Sequence, residues 1–293
     1  MFSRILPVET GGNIMSEITT VVLDAMGGDN APVETIKGAI AALSEIEKLQ
    51  LVLVGKKEVI EAELSKYKYS KERIEIVDTR EVIEMTDDPV TAVKTKKDSS
   101  MNRTLELAKE GTVDASVSAG NTGALITASQ LKLKRIKGVL RPAIATMFPN
   151  KKGHMLMLDV GATADCKPEF LNQYAMMGSK YVEILLGRKK PKVGLLNIGT
   201  EEGKGNEVTR GAYELLKENK AINFVGNVES TEVMNGEIDV VVTDGFTGNM
   251  VLKTAEGIAK FVLSIIKTEI KKSVIYMLGA LLLRPALKMI KLK

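Results

Sequence analysis

The sequence predicts an α/β protein, a Rossmann-like α/β/α sandwich with a mostly parallel sheet. Short apolar runs rich in β-branched residues alternate with stretches whose apolar residues recur at three- and four-residue spacing. Strands and helices that alternate in this way form right-handed βαβ units with both faces of the sheet covered. The chain has 293 residues, 44% of them hydrophobic, which is enough for one or two domains with a sizeable core.

Seven strands are predicted from the short apolar runs: Thr20–Asp24, Leu51–Val54, Ile74–Val77, Ala115–Ser118, Met155–Asp159, Val193–Asn197 and Val240–Thr243. Helices are predicted between them from the amphipathic spacing: Val33–Glu47, Met101–Lys109, Ala124–Leu133, Phe170–Leu186 and Glu207–Glu218. The sequence shows no internal repeat and no low-complexity segment. These patterns predict one doubly wound unit with insertions.

Composition and charge exclude several classes of protein. No window reaches the roughly 18 consecutive apolar residues that a membrane-spanning helix needs. The first residues lack the apolar run of a secretory signal, and the single cysteine, Cys166, excludes an internal disulfide framework. A net charge of +4 is too small to predict nucleic-acid binding. We therefore expect a cytoplasmic protein.

The N-terminal segment is separable from the rest of the chain. A natural-looking start of the coding sequence lies at Met15, and the flexible segment Gly11–Gly12–Asn13 precedes it. We expect residues 1–14 to be an alternative start or an expression remnant. Residues 1–19 are expected to lie outside the fold, and residues 20–293 to form the functional domain.

Glycine-containing turns follow five of the predicted strands: DAMGGD from residue 24, SAGNTG from 118, DVGA from 159, NIGT from 197 and DGFTGN from 244. In α/β proteins ligands bind at the carboxyl ends of strands. Glycine lets the backbone approach a ligand, and helix N-termini offer N–H donors and a positive dipole to phosphate. These loops predict an anion site. For Ser118–Gly123 the alternative is an ordinary turn with Asn121 or Thr122 as helix cap.

Two familiar phosphate motifs are absent from the sequence. The segment Gly199–Gly205 is one residue short of a P-loop and has Gly205 where Ser or Thr must hold magnesium. No G-x-G-x-x-G follows the first strand, so the sequence does not predict a standard dinucleotide site. Lys204, among glycines at a strand end, is still well placed to meet an anion. The alternative for Lys204 is a solvated loop lysine.

Covalent and metal catalysis find little support in the residues. His154 is the only histidine and lies at the start of a strand, Cys166 has no activating partner beyond the adjacent Lys167, and no G-x-S-x-G elbow exists. Four aspartates could together bind magnesium, and the alternative is that they cap helices: Asp24, Asp29, Asp159 and Asp244. We expect no metal and no cofactor. A site of backbone donors, amides, carboxylates and lysines binds reactants that already carry the reactive groups.

Eight segments cover the chain in order from about residue 20 to its end: VVLDAMGGDNAP, VIEMTDDPVTAVKTKKDSSM, SAGNTGA, RIKGVLRPAIAT, LDVGATADCKPEFLNQYAMMGS, VGLLNIGTEEGKGNE, INFVGNVE and DVVVTDGFTGNMVLKTAEG. Together they closely resemble the bacterial phosphate acyltransferase family PlsX. The resemblance implies a fold akin to phosphotransacetylases and isocitrate-type dehydrogenases, assembled as a homodimer.

The resemblance also implies the reaction. Fatty acyl-ACP and inorganic phosphate give acyl-phosphate and free acyl carrier protein, for phosphatidic acid and phospholipid synthesis. The implied partners are acyl carrier protein, phosphate, the anionic membrane surface and the membrane glycerol-3-phosphate acyltransferase. Two alternatives stay open: a phosphotransacylase that uses acyl-CoA, and an inactive protein that only binds membrane or partner enzymes.

Site residues are carried over from the family motifs: Asp24, Gly27, Gly28 and Asp29; Ser118, Gly120, Asn121, Thr122 and Gly123; Lys167; Lys204, Gly205 and Asn206; Asp244, Gly245, Gly248 and Asn249. We expect Lys204 to neutralise phosphate or the oxyanion. The amides of Asn121, Asn206 and Asn249 would orient it. Asp29 or Asp244 would accept a proton from phosphate.

The sequence departs from the family pattern in three places. Thr163 stands where the family usually has asparagine, and Asn30 replaces a common histidine. Family members also continue beyond the position of Lys293 with a glycine-rich segment and a last helix. The chain is therefore expected to be C-terminally truncated.

The C-terminal segment 273–293 predicts contact with a membrane surface. The apolar stretch Val274–Leu283 is too short to span a bilayer but long enough to lie in its surface. Basic residues that would meet anionic headgroups follow it: Arg284, Lys288, Lys291 and Lys293. The alternative is that Met277 and Leu281–Leu283 pack against a dimer mate or the core.

Overall fold

The computed structural model describes residues 18–292, with the backbone alone for residue 284 and residues 286–292. Most of the N-terminal segment expected to lie outside the fold, and the terminal Lys293, are outside the described residues. The first strand nevertheless begins at Thr19, one residue earlier than expected. The described chain divides into two compact units, one ending at Lys137 and the other beginning at Gly138. We refer to them as the N-terminal and C-terminal units.

The N-terminal unit contains a four-stranded parallel sheet in the order β3-β2-β1-β4. Its elements are β1 (Thr19–Asp24), α1 (Val33–Glu45), β2 (Leu49–Gly55), α2 (Lys57–Leu64), β3 (Ile74–Asp78), α3 (Pro89–Thr95), α4 (Ser100–Glu110), β4 (Ala115–Val117) and α5 (Thr122–Lys132). Every strand pair is parallel, so the carboxyl ends of β1 and β4 lie at one edge of the sheet.

Successive side chains of β2 point to opposite faces of this sheet and are buried on both. Leu51 and Leu53 pack in a buried cluster with α1 and α2, whereas Val52 and Val54 pack with Leu107 of α4. Side chains in a strand point to opposite faces with a period of two residues. Because Leu51–Val54 are all apolar and buried, the strand is covered on both sides, as strands of parallel sheets generally are.

The C-terminal unit contains a five-stranded sheet in the order β5-β6-β9-β7-β8, antiparallel only between β5 and β6. Its elements are β5 (Ala145–Asn150), β6 (Gly153–Leu158), α6 (Pro168–Leu186), β7 (Lys192–Leu196), α7 (Glu207–Glu218), β8 (Asn223–Val228), β9 (Val240–Val242), α8 (Gly245–Ile270) and α9 (Val274–Leu292).

This sheet is also covered on both faces. Leu156, Leu158 and Val240 pack with α6 and α7, while Met157 and Val241 face the other side, where partly buried residues of α8 lie. Each unit is thus a three-layer α/β/α arrangement, as the sequence predicts. The difference lies in the number of sheets, because the strands divide between two sheets rather than joining one doubly wound unit.

All seven predicted strands are present within one or two residues of their expected limits, and the five predicted helices are present as well. The prediction missed β5 and β8, which lie at the two edges of the C-terminal sheet. Pro149 interrupts the strand pattern of β5, and a bulge with Gly226 at a φ of 106° interrupts β8. Such interruptions are typical of edge strands and hide the two-residue period.

Helices α8 and α9 carry a long apolar surface. Every residue from Gly257 to Glu269 is exposed, and so are the apolar side chains of Val274–Leu278 and Leu281–Leu283. The alternative in which Met277 and Leu281–Leu283 pack against the core is therefore wrong. Among the described residues, no helix combines the length and hydropathy needed to cross a bilayer.

Candidate active site

In the N-terminal unit, the ends of β1 and β4 are joined by a buried carboxylate. Asp24 is 1% exposed, and the hydroxyl of Ser118 donates to it at 2.7 Å. The backbone N–H of Met26 also donates to Asp24, and the N–H of Gly120 donates to the Ser118 hydroxyl at 3.2 Å. Burial raises the pKa of the Asp24 carboxyl above its ordinary value. Asp24 and Ser118 therefore hold the two loops together through hydrogen bonds.

Gly27 and Gly28 let the two loops touch. A Cβ at Gly27 would lie 2.7 Å from the Asp24 carboxylate and 2.9 Å from the N–H nitrogen of Gly120. Gly28 has a φ of 110°, which disfavours any residue with a side chain. The same glycines that suggested close approach to a ligand are thus required for close approach between loops.

Asn121 is the N-cap of α5, as the alternative for this loop proposed. Its side-chain oxygen accepts from the N–H of Ala124 at 3.0 Å, and its amide nitrogen donates to the carbonyls of Met85 and Asp87 at 3.2 Å. The side chain is buried and fully engaged within the protein. A ligand at this loop would meet the backbone N–H groups of the first turn of α5, beside the exposed Thr122.

Two other residues of these N-terminal loops differ in exposure. Asp29 is exposed at the end of the first loop. Gly123 lies in the first turn of α5, where a Cβ would come within 2.8 Å of the Pro89 ring. Of the two aspartates at the first loop, Asp24 and Asp29, only Asp29 can be reached by solvent and ligands, whereas Gly123 serves the packing of α5 on α3.

In the C-terminal unit, Asp159 organises the loop that follows β6. It is fully buried and accepts hydrogen bonds from four backbone N–H groups, those of Ile144, Gly161, Ala162 and Thr163, at 2.7–3.1 Å. Sequence reasoning considered Asp159 as a magnesium ligand or as a helix cap. A carboxylate whose lone pairs are taken by backbone donors holds a loop in shape.

The N-terminus of α8 packs directly on that loop. Asp244 caps the helix by accepting from the N–H of Thr247 at 2.8 Å and from its hydroxyl at 2.7 Å. A Cβ on Gly245 would lie 2.7 Å from the Asp159 carboxylate, and one on Gly248 would overlap the Asp159 carbonyl oxygen. Asn249 is exposed in the same turn. The two glycines thus bring the helix against the Asp159 loop.

Lys204 is exposed in the loop between β7 and α7. Its ammonium lies 3.8 Å from the Glu201 carboxylate, and its side chain is 48% exposed. Gly205 follows with a φ of 94°, and Asn206 caps α7 by accepting from the N–H of Thr209 at 2.9 Å. The family element K-G-N therefore places a cation immediately before a helix N-terminus.

Cys166 and Lys167 precede α6. Lys167 is exposed, and Cys166 is half-buried. Burial raises the pKa of the Cys166 thiol to about 11 and that of the Tyr174 phenol to about 12. Both groups are therefore neutral at pH 7, and a thiol in this state is a poor nucleophile.

Sequence reasoning missed two further asparagines beside Lys204. Asn197 follows β7 and Asn227 lies in β8, and both side chains bond to the backbone of the Lys204 loop. Asn197 could have been recognised as a candidate site residue from its position after a predicted strand. Asn227 lies in the segment INFVGNVE, from which no site residue was taken.

Comparison with known proteins bears on what these loops do. Residues 19–293 match a family model described as fatty acid synthesis protein. A phosphate acyltransferase of Fusobacterium nucleatum subsp. nucleatum is 64% identical over 274 residues, which cover 93% of this chain and 82% of that protein. A phosphate acyltransferase of Clostridium kluyveri is 49% identical over 271 residues, covering 92% of this chain and 80% of that protein.

A solved structure bears on the fold alone. The crystal structure of a phosphotransacetylase from Streptococcus pyogenes superposes with a TM-score of 0.61 at 16% sequence identity, covering 83% of this chain and 82% of that chain. The expected likeness to phosphotransacetylases in fold is confirmed.

Proposed function

We propose that this chain, which belongs to the phosphate acyltransferase family, transfers a fatty acyl group from acyl carrier protein to inorganic phosphate. Membership makes it a transferase that joins acyl groups to phosphate. The match over residues 19–293, together with 64% identity to a phosphate acyltransferase, carries this conclusion. The choice of acyl carrier protein as donor, and a place in phosphatidic acid synthesis, are the proposal.

The proposed reaction does not require a nucleophilic side chain of the enzyme. A phosphate oxygen attacks the thioester carbonyl, a tetrahedral oxyanion forms, and the carrier's thiolate leaves as the acyl-phosphate is released. Such a reaction needs an anion held close to the carbonyl and donors aimed at the oxyanion. Each preorganised oxyanion donor lowers the barrier by roughly 3–4 kcal/mol. The neutral Cys166 thiol has no place in this scheme.

We propose that Lys204 supplies the positive charge that binds phosphate, and that helix N-termini supply the oriented hydrogen-bond donors. Lys204 is exposed and immediately precedes α7, so its ammonium and the N–H groups of that helix can act on one anion. The side chains of Asn121 and Asn206 cap their helices, which supports an indirect role for both. Asn249 is exposed and can meet the ligand with its amide.

For the proton of phosphate we propose Asp29 rather than Asp244. Asp29 is exposed in its loop. Asp244 accepts two hydrogen bonds from Thr247, so a proton from phosphate would have to displace one of them. We further propose that Lys167, exposed at the start of α6, contributes positive charge to phosphate binding.

The reaction is tested by thiol release. The purified chain is mixed with acyl-ACP, with and without phosphate, and free carrier thiol is measured together with acyl-phosphate. We expect release only when phosphate is present. A parallel reaction with the matching acyl-CoA tests the alternative donor, which would be favoured by a larger kcat/KM for acyl-CoA. Absence of phosphate-dependent release from both donors would support the alternative of an inactive binding protein.

The exposed apolar surface supports two further proposals. Residues Gly257–Glu269 of α8 offer apolar side chains to a second copy of the chain, in agreement with the homodimer expected from the resemblance. For α9 we propose contact with an anionic membrane surface, where an acyl-phosphate would be passed to a membrane glycerol-3-phosphate acyltransferase. Leu282 is 82% exposed. The basic side chains after Leu283 lie outside the side chains that the structure describes.

A further inference from the structure

Two asparagines hold the loop that carries Lys204 from the side of the sheet. The amide nitrogen of Asn197 donates to the Lys204 carbonyl at 3.1 Å, and that of Asn227 donates to the Glu201 carbonyl at 2.8 Å. The two side chains are also joined, because Asn197 donates to the side-chain oxygen of Asn227 at 3.1 Å. Asn197 follows β7 and Asn227 is the last but one residue of β8, so the loop is attached to two neighbouring strands.

The network leaves little freedom to the loop. The side-chain oxygen of Asn197 accepts from the N–H of Ile198 at 2.9 Å, and Asn227 is only 6% exposed. A Cβ on Gly205 would lie 2.5 Å from the same Asn197 oxygen. Removing the Asn197 amide takes the side-chain donor from the Lys204 carbonyl, and removing the Asn227 amide leaves the Glu201 carbonyl with the N–H of Lys204, at 3.1 Å, as its donor. Either change detaches the loop from one of the two strands.

The held backbone, more than an ion pair, limits where the Lys204 ammonium can lie. Its approach to Glu201 is 3.8 Å, both side chains are largely exposed, and pairs of this kind contribute little. The asparagines therefore fix the Cα from which the Lys204 side chain extends, and so the region that its ammonium can reach. A cation that must meet phosphate at a fixed place needs such a support.

We propose that Asn197 and Asn227 are positioning residues for phosphate, acting through Lys204. This inference rests on the proposed function, since it gives these two residues a part in the same anion site. A displacement of about 1 Å in a reacting group can cost about 100-fold in rate. We expect Asn227→Ala to lower kcat/KM for phosphate by about 10- to 100-fold, chiefly through the KM for phosphate.

The experiment measures both substrates in single and double variants. KM and kcat are determined for phosphate and, separately, for the acyl donor, in Asn227→Ala, Lys204→Ala and the double variant. The matched control is Asn223→Ala, because Asn223 lies at the opposite end of β8 and donates to the Lys190 carbonyl at 3.1 Å, away from Lys204. Melting temperatures of all variants separate loss of fold from loss of position.

The inference holds if Asn227→Ala raises the KM for phosphate and not that for the acyl donor, while Asn223→Ala changes neither. In the Lys204→Ala background the same change should alter kcat/KM by less than about 3-fold, because residues that act through one another are not additive. Equal losses for both substrates, or full additivity with Lys204→Ala, would overturn it. If Asn227→Ala does not fold, Asn197→Ala removes the side-chain donor to the Lys204 carbonyl and carries the same expectation. A wild-type protein without phosphate-dependent turnover would refute the proposed reaction instead.

Discussion

The hydroxyl of Ser118 donates a hydrogen bond of 2.7 Å to the buried carboxylate of Asp24, across 94 residues of sequence. The bond joins the loops that follow β1 and β4, which are parallel neighbours in the N-terminal sheet. Because the carboxylate is buried, the free energy of this contact depends on whether Asp24 carries a proton.

The first prediction concerns this carboxyl group. Burial raises the pKa of Asp24, so the folded chain binds its proton more tightly than the unfolded chain does. This contribution to stability is fully present below the unfolded pKa of about 3.9 and is lost as the pH rises through the higher folded value. Asp24→Asn cannot titrate. The free energy of unfolding of the Asp24→Asn variant, minus that of the wild type, should therefore increase as the pH rises from the unfolded pKa of Asp24 through its folded pKa.

Urea unfolding at a series of pH values from about 3 to 7 measures this difference. Only its slope matters, since the loss of one acceptor shifts all values equally. A difference that stays flat or falls as the pH rises would contradict a raised pKa at Asp24.

The second prediction concerns Lys204. Replacement by alanine should lower kcat/KM for phosphate by roughly 100- to 1,000-fold, because a charge aimed at the developing oxyanion is removed. Circular dichroism should stay unchanged, since the side chain is exposed. Lys180→Ala is the control, because Lys180 is also an exposed lysine in an ion pair, with Glu183 on α6. Near-normal kcat/KM for phosphate in Lys204→Ala would end this assignment.

The third prediction concerns the loop capped by Asn121. Crystals grown with sulfate or phosphate should hold an anion at the backbone N–H groups of the first turn of α5. Asn121→Ala should lower stability by about 1 kcal/mol through loss of the cap and should raise the KM for phosphate. Anions bound only elsewhere, together with an unchanged KM, would leave this loop as a turn with no part in binding.

The fourth prediction compares two glycines of α8. Gly248→Ala should destabilise the protein by about 1–3 kcal/mol or more, because the new methyl group would overlap the Asp159 carbonyl oxygen, which is backbone. Gly257→Ala should stabilise by about 0.5–1 kcal/mol, because no atom lies within 4 Å and alanine favours a helix. Thermal unfolding of both variants checks the contrast. Equal effects would show that α8 does not require the close approach at Gly248.

The fifth prediction concerns the membrane. The wild-type chain should float with anionic liposomes, and the double variant Leu281→Glu, Leu282→Glu should remain at the bottom of the gradient. Both side chains are exposed and apolar, so the changes remove membrane contact without disturbing the core. Leu131→Glu, at a similarly exposed leucine of α5, should float like the wild type. Flotation of the double variant with the wild type, or of neither, would count against an interfacial role.

Sequence reasoning reached the α/β class, the seven strands and the loops of the site because these depend on local patterns. Apolar periodicity marks Leu49–Gly55, and a glycine-rich turn marks the end of β1. It missed the edge strands β5 and β8, where a proline and a bulge break the pattern. The exposed second half of α8 was also beyond sequence reasoning, since exposure is a relation between elements.

The family of the chain was determined by the sequence alone, because eight motifs in order specify it without reference to coordinates, and the comparisons confirm it. Only the tertiary structure decided which motif residues stay available to a ligand. Asp24 accepts from Ser118, Asn121 caps α5, and Asp159 gathers backbone N–H groups, whereas Lys204 stays exposed. The physical reason is that a buried polar group must find a hydrogen-bond partner, and that partner is set by which strands and loops the fold brings together.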